Sequence, residues 1–324
     1  MQYRALGHSG LRLSVIGLGS WVTYGSTVAA QTARDCILRA YEGGVNFFDT
    51  ANIYARGEAE KTLAPILKEL NRDAIVVASK VYFPMGDDPN ERGLSRKHIR
   101  TQIDASLRRL QVDYLDLYQC HRYDLETPIE ETCNMMNDLV RAGKILYWGV
   151  SEWNADQIVS AVNVCRANAW AVPISNQPQY SLLWRRIEQR VLPMCEQYGL
   201  GNVVWSPLAQ GILTGKYTDA NRPPKGTRAA GPAAEMMEDF FTQPVLDAVQ
   251  RLLPVAKHAG HPLAALGLAW CLRQPTVTSV IVGATTVKHV EENLRAAELR
   301  VDPSTFDEMD RILQPVLVEE PYLA

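Results

Sequence analysis

Eight short apolar runs, each followed by a stretch with helical spacing, constrain this chain more than any other feature. They are VIGLGS (15–20), VNFF (45–48), IVVAS (75–79), DYLDLYQC (113–120), KILYWGVS (144–151), PISNQ (173–177), GNVVWSPL (201–208) and VTSVIVG (277–283). β-Branched and aromatic residues fill many of them, as in parallel strands buried on both faces. Helical spacing is found over 31–42, 58–70, 96–110, 128–142, 154–167, 188–198, 245–258, 263–273 and 287–297, and 303–313 adds a last helix. Residues 1–14 read as a hairpin placed before the series. The expected fold is a (β/α)8 TIM barrel with an N-terminal β-hairpin and an additional C-terminal helix, one domain over 1–324. A doubly wound sheet would also alternate. However, the third glycine position of a dinucleotide fingerprint beginning at Gly17 falls on Val22. Gly17-Leu18-Gly19 therefore reads as a tight strand exit.

Composition excludes several classes. A net charge of -3 gives no basic footprint for nucleic acid. No apolar stretch is long enough to span a bilayer, and MQYRALGHSG lacks the pattern of a signal peptide. Six scattered cysteines without a CxxC pair point to reduced thiols and a cytoplasmic protein.

In a barrel of this kind the active site lies where the strands end. Those ends carry Ser20 and Trp21, Asp49, Lys80, His121, Ser151, Asn176 and Gln177, Trp205 and Ser206, and Gly283, with Tyr54 in the loop after Asp49. Any one of them has an ordinary structural explanation. Four titratable groups on one rim (Asp49, Tyr54, Lys80, His121) favour chemistry. An ammonium beside a phenol stabilises the phenolate, so the pair is expected to make Tyr54 a readier acid, with Asp49 holding Lys80 charged. A metal site would need more ligands than one histidine, one carboxylate and Cys120. A glycosidase would need a second acid opposite Asp49, and Glu152 is the nearest in sequence. A Schiff-base lysine needs a neutral amine, which Asp49 opposes.

FDTANIY (48–54), VVASK (76–80), LYQCHR (117–122), WGVSEW (148–153), SNQPQY (175–180), WSPLAQG (205–211) and VGATTVKHVEENL (282–294) resemble, in order, the motifs of the aldo-keto reductases. GLSRKHI (93–99), YWGVS and WSPLAQGILTGKY (205–217) resemble in particular the group containing the potassium-channel β-subunits and their microbial relatives. The resemblance implies Tyr54 as proton donor, Lys80 and Asp49 as its tuning pair and His121 as the carbonyl-orienting group. It implies a nicotinamide cofactor, NADPH before NADH. Ser151, Asn176 and Gln177 would hold its carboxamide, and Trp205 would stack on the ring. Ser206, Pro207, Leu208, Gly211 and Lys216 would hold the pyrophosphate. Gly283, Thr285, His289, Glu292 and Asn293 would surround the adenosine end, and Ser20, Trp21 and Asp49 complete the expected contacts.

Channel β-subunits carry asparagine where His121 stands, which favours a working reductase of aldehydes and ketones. The alternative is a redox-sensing, NADP(H)-binding partner protein with slow turnover. Two departures from the pattern stand out: Glu152 replaces an arginine of the channel-type relatives, and His289 replaces the arginine many members place near the 2′-phosphate. Lys288 and Arg228 are candidates to supply that charge. TDANRPPKGTRAAGP (218–232) is expected to fold over the cofactor as a lid. Tyr24, Tyr82, Phe83, Trp153 and Trp184 are candidates to line an apolar substrate pocket. The resemblance also implies a homotetramer.

Overall fold

Parallel pairing of the eight runs closes a barrel in the computed structural model, which describes residues 1–231 and 233–320. The strands are β3 (Ile16–Gly19), β4 (Phe47–Asp49), β5 (Val76–Val81), β6 (Leu115–Cys120), β7 (Ile145–Ser151), β8 (Ser175–Gln177), β9 (Gly201–Val204) and β10 (Val277–Val282). They follow one another around the wall, and β10 pairs with both β9 and β3. A hairpin of β1 (Tyr3–Ala5) and β2 (Arg12–Ser14) precedes them. The helices are α1 (Ala30–Glu42), α2 (Glu58–Leu67), α3 (Arg96–Leu110), α4 (Ile129–Arg141), α5 (Ala155–Ala167), α6 (Val191–Tyr198), α7 (Gln243–His258), α8 (Leu263–Leu272), α9 (Val287–Arg295) and α10 (Pro303–Leu313). The (β/α)8 barrel, the hairpin and the extra C-terminal helix stand as the sequence implies.

Strand pleating divides the apolar side chains between two cores. Phe47, Val76, Ala78, Leu117, Val203 and Ile281 form one cluster with Leu6 and Leu13 of the hairpin. The hairpin therefore plugs the N-terminal end of the barrel. It is tied there by Arg4, which donates to the Val277 carbonyl at 2.7 Å, and by the Thr278 hydroxyl, which donates to the Ala5 carbonyl at 3.2 Å. The second, larger core lies between strands and helices and takes the alternate residues, such as Phe48, Val77, Tyr118 and Cys120. Full burial of a side chain such as Phe47 contributes roughly 1.5–3 kcal/mol.

Gly17 lies inside β3 and Gly19 ends it. A Cβ on Gly17 would come within 2.5 Å of Phe47 Cδ1, and one on Gly19 within 2.6 Å of Ile281 Cγ2. The GxG pattern makes room for side chains of the two adjacent strands, β4 and β10.

Helix ends depart from the periodicity where proline or packing intervenes. A helix beginning at 188 would hold Pro193 in its interior. Starting α6 at Val191 leaves Pro193 in the first turn, where no backbone N–H is needed. Helix α2 stops at Leu67, and Glu69 and Leu70 continue in a turn. Helix α7 begins two residues early, with Pro244 in its first turn. Between α2 and α3, buried Glu60 accepts from Ser79 Oγ at 2.6 Å and from Arg109 Nε at 2.6 Å. That pairing locks both helices to β5 beneath the site.

Candidate active site

Lys80 is the centre of the C-terminal mouth. Residues 76, 78 and 80 of β5 point to the same face, so the apolar lining of the barrel gives way to an ammonium at its upper edge. Lys80 is fully buried, yet its three N–H groups have three acceptors. Nζ lies 2.5 Å from Asp49 Oδ1, 2.8 Å from the Thr50 carbonyl and 3.2 Å from the Tyr54 hydroxyl. Gln177 Nε2 donates to the other oxygen of Asp49 at 2.9 Å. Strand ends of β4, β5 and β8 are thus joined in one satisfied polar network, the arrangement in which buried charge is tolerated.

Tyr54 reaches this network from a 3-10 turn, Tyr54–Gly57, just beyond β4. Ala55 and Arg56 take left-handed φ of 48° and 52°, and Gly57 takes 93°. Left-handed backbone at successive non-glycine residues is strained, and Gly57 has a further constraint. A Cβ there would lie 2.7 Å from Arg109 Cδ. The turn is held by its surroundings, and with it the direction of the phenol.

The electrostatics correct one expectation. Burial raises the Tyr54 pKa above the usual phenol value; Lys80 pulls it down and Asp49 pushes it up, and the net direction is upward. The ammonium eases ionisation without overcoming burial, so Tyr54 is a protonated phenol at neutral pH. Burial alone would lower the Lys80 pKa, but Asp49 and Tyr54 more than offset it and the net direction is upward. That leaves no neutral amine for Schiff-base chemistry. His121 sits across from Tyr54, with ring centroids 5.7 Å apart. Burial first, then Lys80 and Arg122, hold it well below the usual histidine value. It is a neutral imidazole.

A cavity of about 740 Å³ opens over these groups. Asp49, Tyr54 and His121 line its floor with Trp21, Ser151, Gln177 and Trp205. Beyond them it runs past Ser206, Pro207, Leu208, Gly211 and Lys216, and under Arg228, to Gly283, Thr285, His289, Glu292 and Asn293. Backbone at Ser206, Ala209, Gln210 and Gly211 is left-handed, the geometry from which anion-binding nests are made. At the far end, Thr286 caps α9 by accepting from the His289 N–H at 3.2 Å. Gly226, Thr227 and Arg228 bring the 218–231 segment over the cavity. Pro232, the last residue of the expected lid, lies outside the described residues.

Some expected contacts fall elsewhere. Ser175 and Gln177 face the barrel interior, where they meet Gln119 and Asp49. Asn176, between them in β8, is turned away by the pleat and does not line the cavity. Ser20 is buried and donates to Thr50 Oγ1 at 2.8 Å, joining β3 to the loop after β4. Lys288 is 80% exposed, 3.8 Å from Glu292, and off the cavity wall, whereas Arg228 is on it. Of the aromatic candidates, Tyr24 and Phe83 line the cavity. Tyr82 packs on Phe83, Trp153 on Tyr123 and Trp184 on Phe240.

One participant, Arg122, escaped the sequence reasoning, and another, Glu152, was noted there without a role. Arg122 lines the cavity beside His121, and its place directly after that strand end was the available signal. Glu152 accepts from the Trp205 indole N–H at 2.7 Å and from the Gln179 N–H at 2.5 Å, from a left-handed position with φ of 58°. The departure from the channel-type pattern thus places a carboxylate that fixes the plane of Trp205. Trp205 in turn meets Trp21 edge-on at 5.6 Å.

A closed parallel barrel whose mouth gathers a phenol, an ammonium, a carboxylate and a neutral imidazole defines an oxidoreductase of carbonyl compounds built on the (β/α)8 fold. The chain belongs to the aldo/keto reductase family, whose model matches residues 15–314. It is 40% identical to a probable voltage-gated potassium channel subunit beta of Oryza sativa subsp. japonica, over 97% of each chain. A protein of the same description from Arabidopsis thaliana is 39% identical, again over 97% of each chain. A putative voltage-gated potassium channel subunit beta of Schizosaccharomyces pombe is 37% identical over 99% of this chain and 95% of its own.

Proposed function

We propose that this protein is an NADPH-dependent reductase of aldehydes and ketones in which Tyr54 is the proton donor. The observation that carries the proposal is the buried chain Asp49–Lys80–Tyr54, with contacts of 2.5 and 3.2 Å, opening onto the cavity opposite His121.

The cavity suits the cofactor. Its volume and mixed lining are those of a ligand site. Gln177 keeps its carbonyl oxygen and Ser151 its hydroxyl lone pairs as acceptors for an amide. Trp205 offers a fixed aromatic plane, and Lys216 and Arg228 offer cations beside the left-handed turn. When bound, the nicotinamide supplies the hydride. The protein's own part is proton management. As the carbonyl oxygen gains charge it becomes far more basic than a phenolate, and Tyr54 gives up its proton despite an elevated pKa. Lys80 stabilises the phenolate that remains, and Asp49 holds Lys80 in register. Neutral His121 donates a hydrogen bond toward the same oxygen where charge develops. Arg228 favours NADPH over NADH by meeting the extra phosphate.

Tyr54→Phe keeps the ring and removes the acid. Cofactor affinity should stay within about threefold, while turnover falls roughly 10²–10⁴-fold, the span of a lost general acid. Full turnover in that variant would refute the assignment. The names of the three relatives support a second reading, a cofactor-holding subunit of a larger assembly with slow turnover. Oxidation of bound NADPH by a small aldehyde in a single turnover separates the two. Homotetramer formation and a cytoplasmic location are part of both readings.

A further inference from the structure

One cation on the cavity wall has been given no ligand to hold. Arg122 follows His121 at the end of β6 and lines the cavity beside it. Its Nη1 donates to the His121 carbonyl at 2.5 Å, and its guanidinium lies 5.4 Å from the centre of the Phe83 ring. Phe83 itself packs edge-on against His121, with centroids 4.9 Å apart. The guanidinium is thus pinned at one corner and stacked on one face. Among the described residues it forms no ion pair.

The nearby carboxylates are committed elsewhere. Asp124 accepts from the Leu94 and Glu126 N–H groups and the Thr127 hydroxyl. Asp49 is held by Lys80 and Gln177. Glu292 belongs to the α9 end of the cavity. Asp49 and Lys80 cancel, and His121 is neutral. Arg122 therefore places on the cavity wall, without an ion pair among the described residues, a side chain whose planar fork matches an oxyanion.

We propose that Arg122 selects carbonyl substrates that carry an anionic group, a carboxylate or a phosphate. The assignment rests on the reductase reading above. It narrows the substrate class from apolar carbonyl compounds in general to those with a negative charge to place against Arg122, with Tyr24 and Phe83 bordering the remainder.

The test compares matched pairs: 4-carboxybenzaldehyde against its methyl ester, and glyceraldehyde 3-phosphate against glyceraldehyde. Wild-type kcat/KM should favour the anionic member of at least one pair by about tenfold to a hundredfold, the range of a charged hydrogen bond. The pair that shows the preference identifies the anion. Arg122→Met should collapse the ratio, Arg122→Lys should restore part of it, and added salt should shrink it. Calorimetric titration with terephthalate reads the same loss as affinity, without turnover. Equal ratios in the wild type, or an equal loss on both members of each pair in Arg122→Met, would overturn the assignment of Arg122 alone. Failure to reduce any of the four compounds would overturn the reductase reading and this one with it.

Discussion

Lys80 and Tyr54 set the pH behaviour through opposed influences. On the proposed mechanism reduction needs a protonated phenol, and burial raises the Tyr54 pKa above its ordinary value of about 10. It also needs His121 in one state, and that imidazole is held well below its ordinary value of about 6.5. The kcat for reduction should therefore be flat from about pH 6 to 9. Alcohol oxidation needs the minor phenolate form, so its rate should climb roughly tenfold per pH unit over the same span. A reduction profile that turns over near neutrality would contradict both assignments. Lys80→Met tests the other side of the network. It leaves the Asp49 carboxylate buried with only Gln177, and loss of one partner of a buried pair costs about 3–5 kcal/mol. Chemical denaturation should show that loss alongside the loss of activity. That these residues meet at one rim was legible in the sequence, because four titratable groups fall at or just beyond the ends of apolar strands. The sign of the Tyr54 shift was not, because residue spacing carries no measure of burial.

At the scale of elements, the 218–231 segment is the part to which the proposed function gives a job. It lies over the cavity through Gly226, Thr227 and Arg228, while Lys225 remains exposed. Trypsin should cut first after Lys225, and saturating NADPH should slow that cut several-fold, as ligand binding protects a segment it holds in place. An unchanged rate would argue against a lid. Strands and helices were readable because apolar runs, caps and glycines act locally: Asn154 caps α5, in a reciprocal capping box with Gln157. What stayed hidden depended on direction. Nothing in the order Ser175-Asn176-Gln177 says which side chains face inward until the barrel exists. Trp153 and Trp184 sit near loops yet point into packing, and aromatic content cannot tell wall from core. Pro193 was a readable marker for the start of α6 that helical spacing alone passed over.

For the molecule as a whole, closure depends on small residues as much as large ones. Gly17→Val would drive a side chain into Phe47, a neighbour that is fully buried. Overpacking of this kind typically costs about 1–3 kcal/mol. Because β3 and β4 are adjacent staves, the loss should appear as one lowered unfolding transition. A separate early transition of the N-terminal half would show that the barrel does not act as a unit.

The hairpin at the opposite end has its own consequence. With Leu6 and Leu13 sealing the floor, nothing can pass through the cylinder, so every visitor uses one doorway. On the proposed reading, a cofactor beneath the 218–231 strap should settle before its smaller companion arrives and depart after that companion has gone. Traffic of that kind would be a queue with a fixed order, and random-order product-inhibition patterns would contradict it.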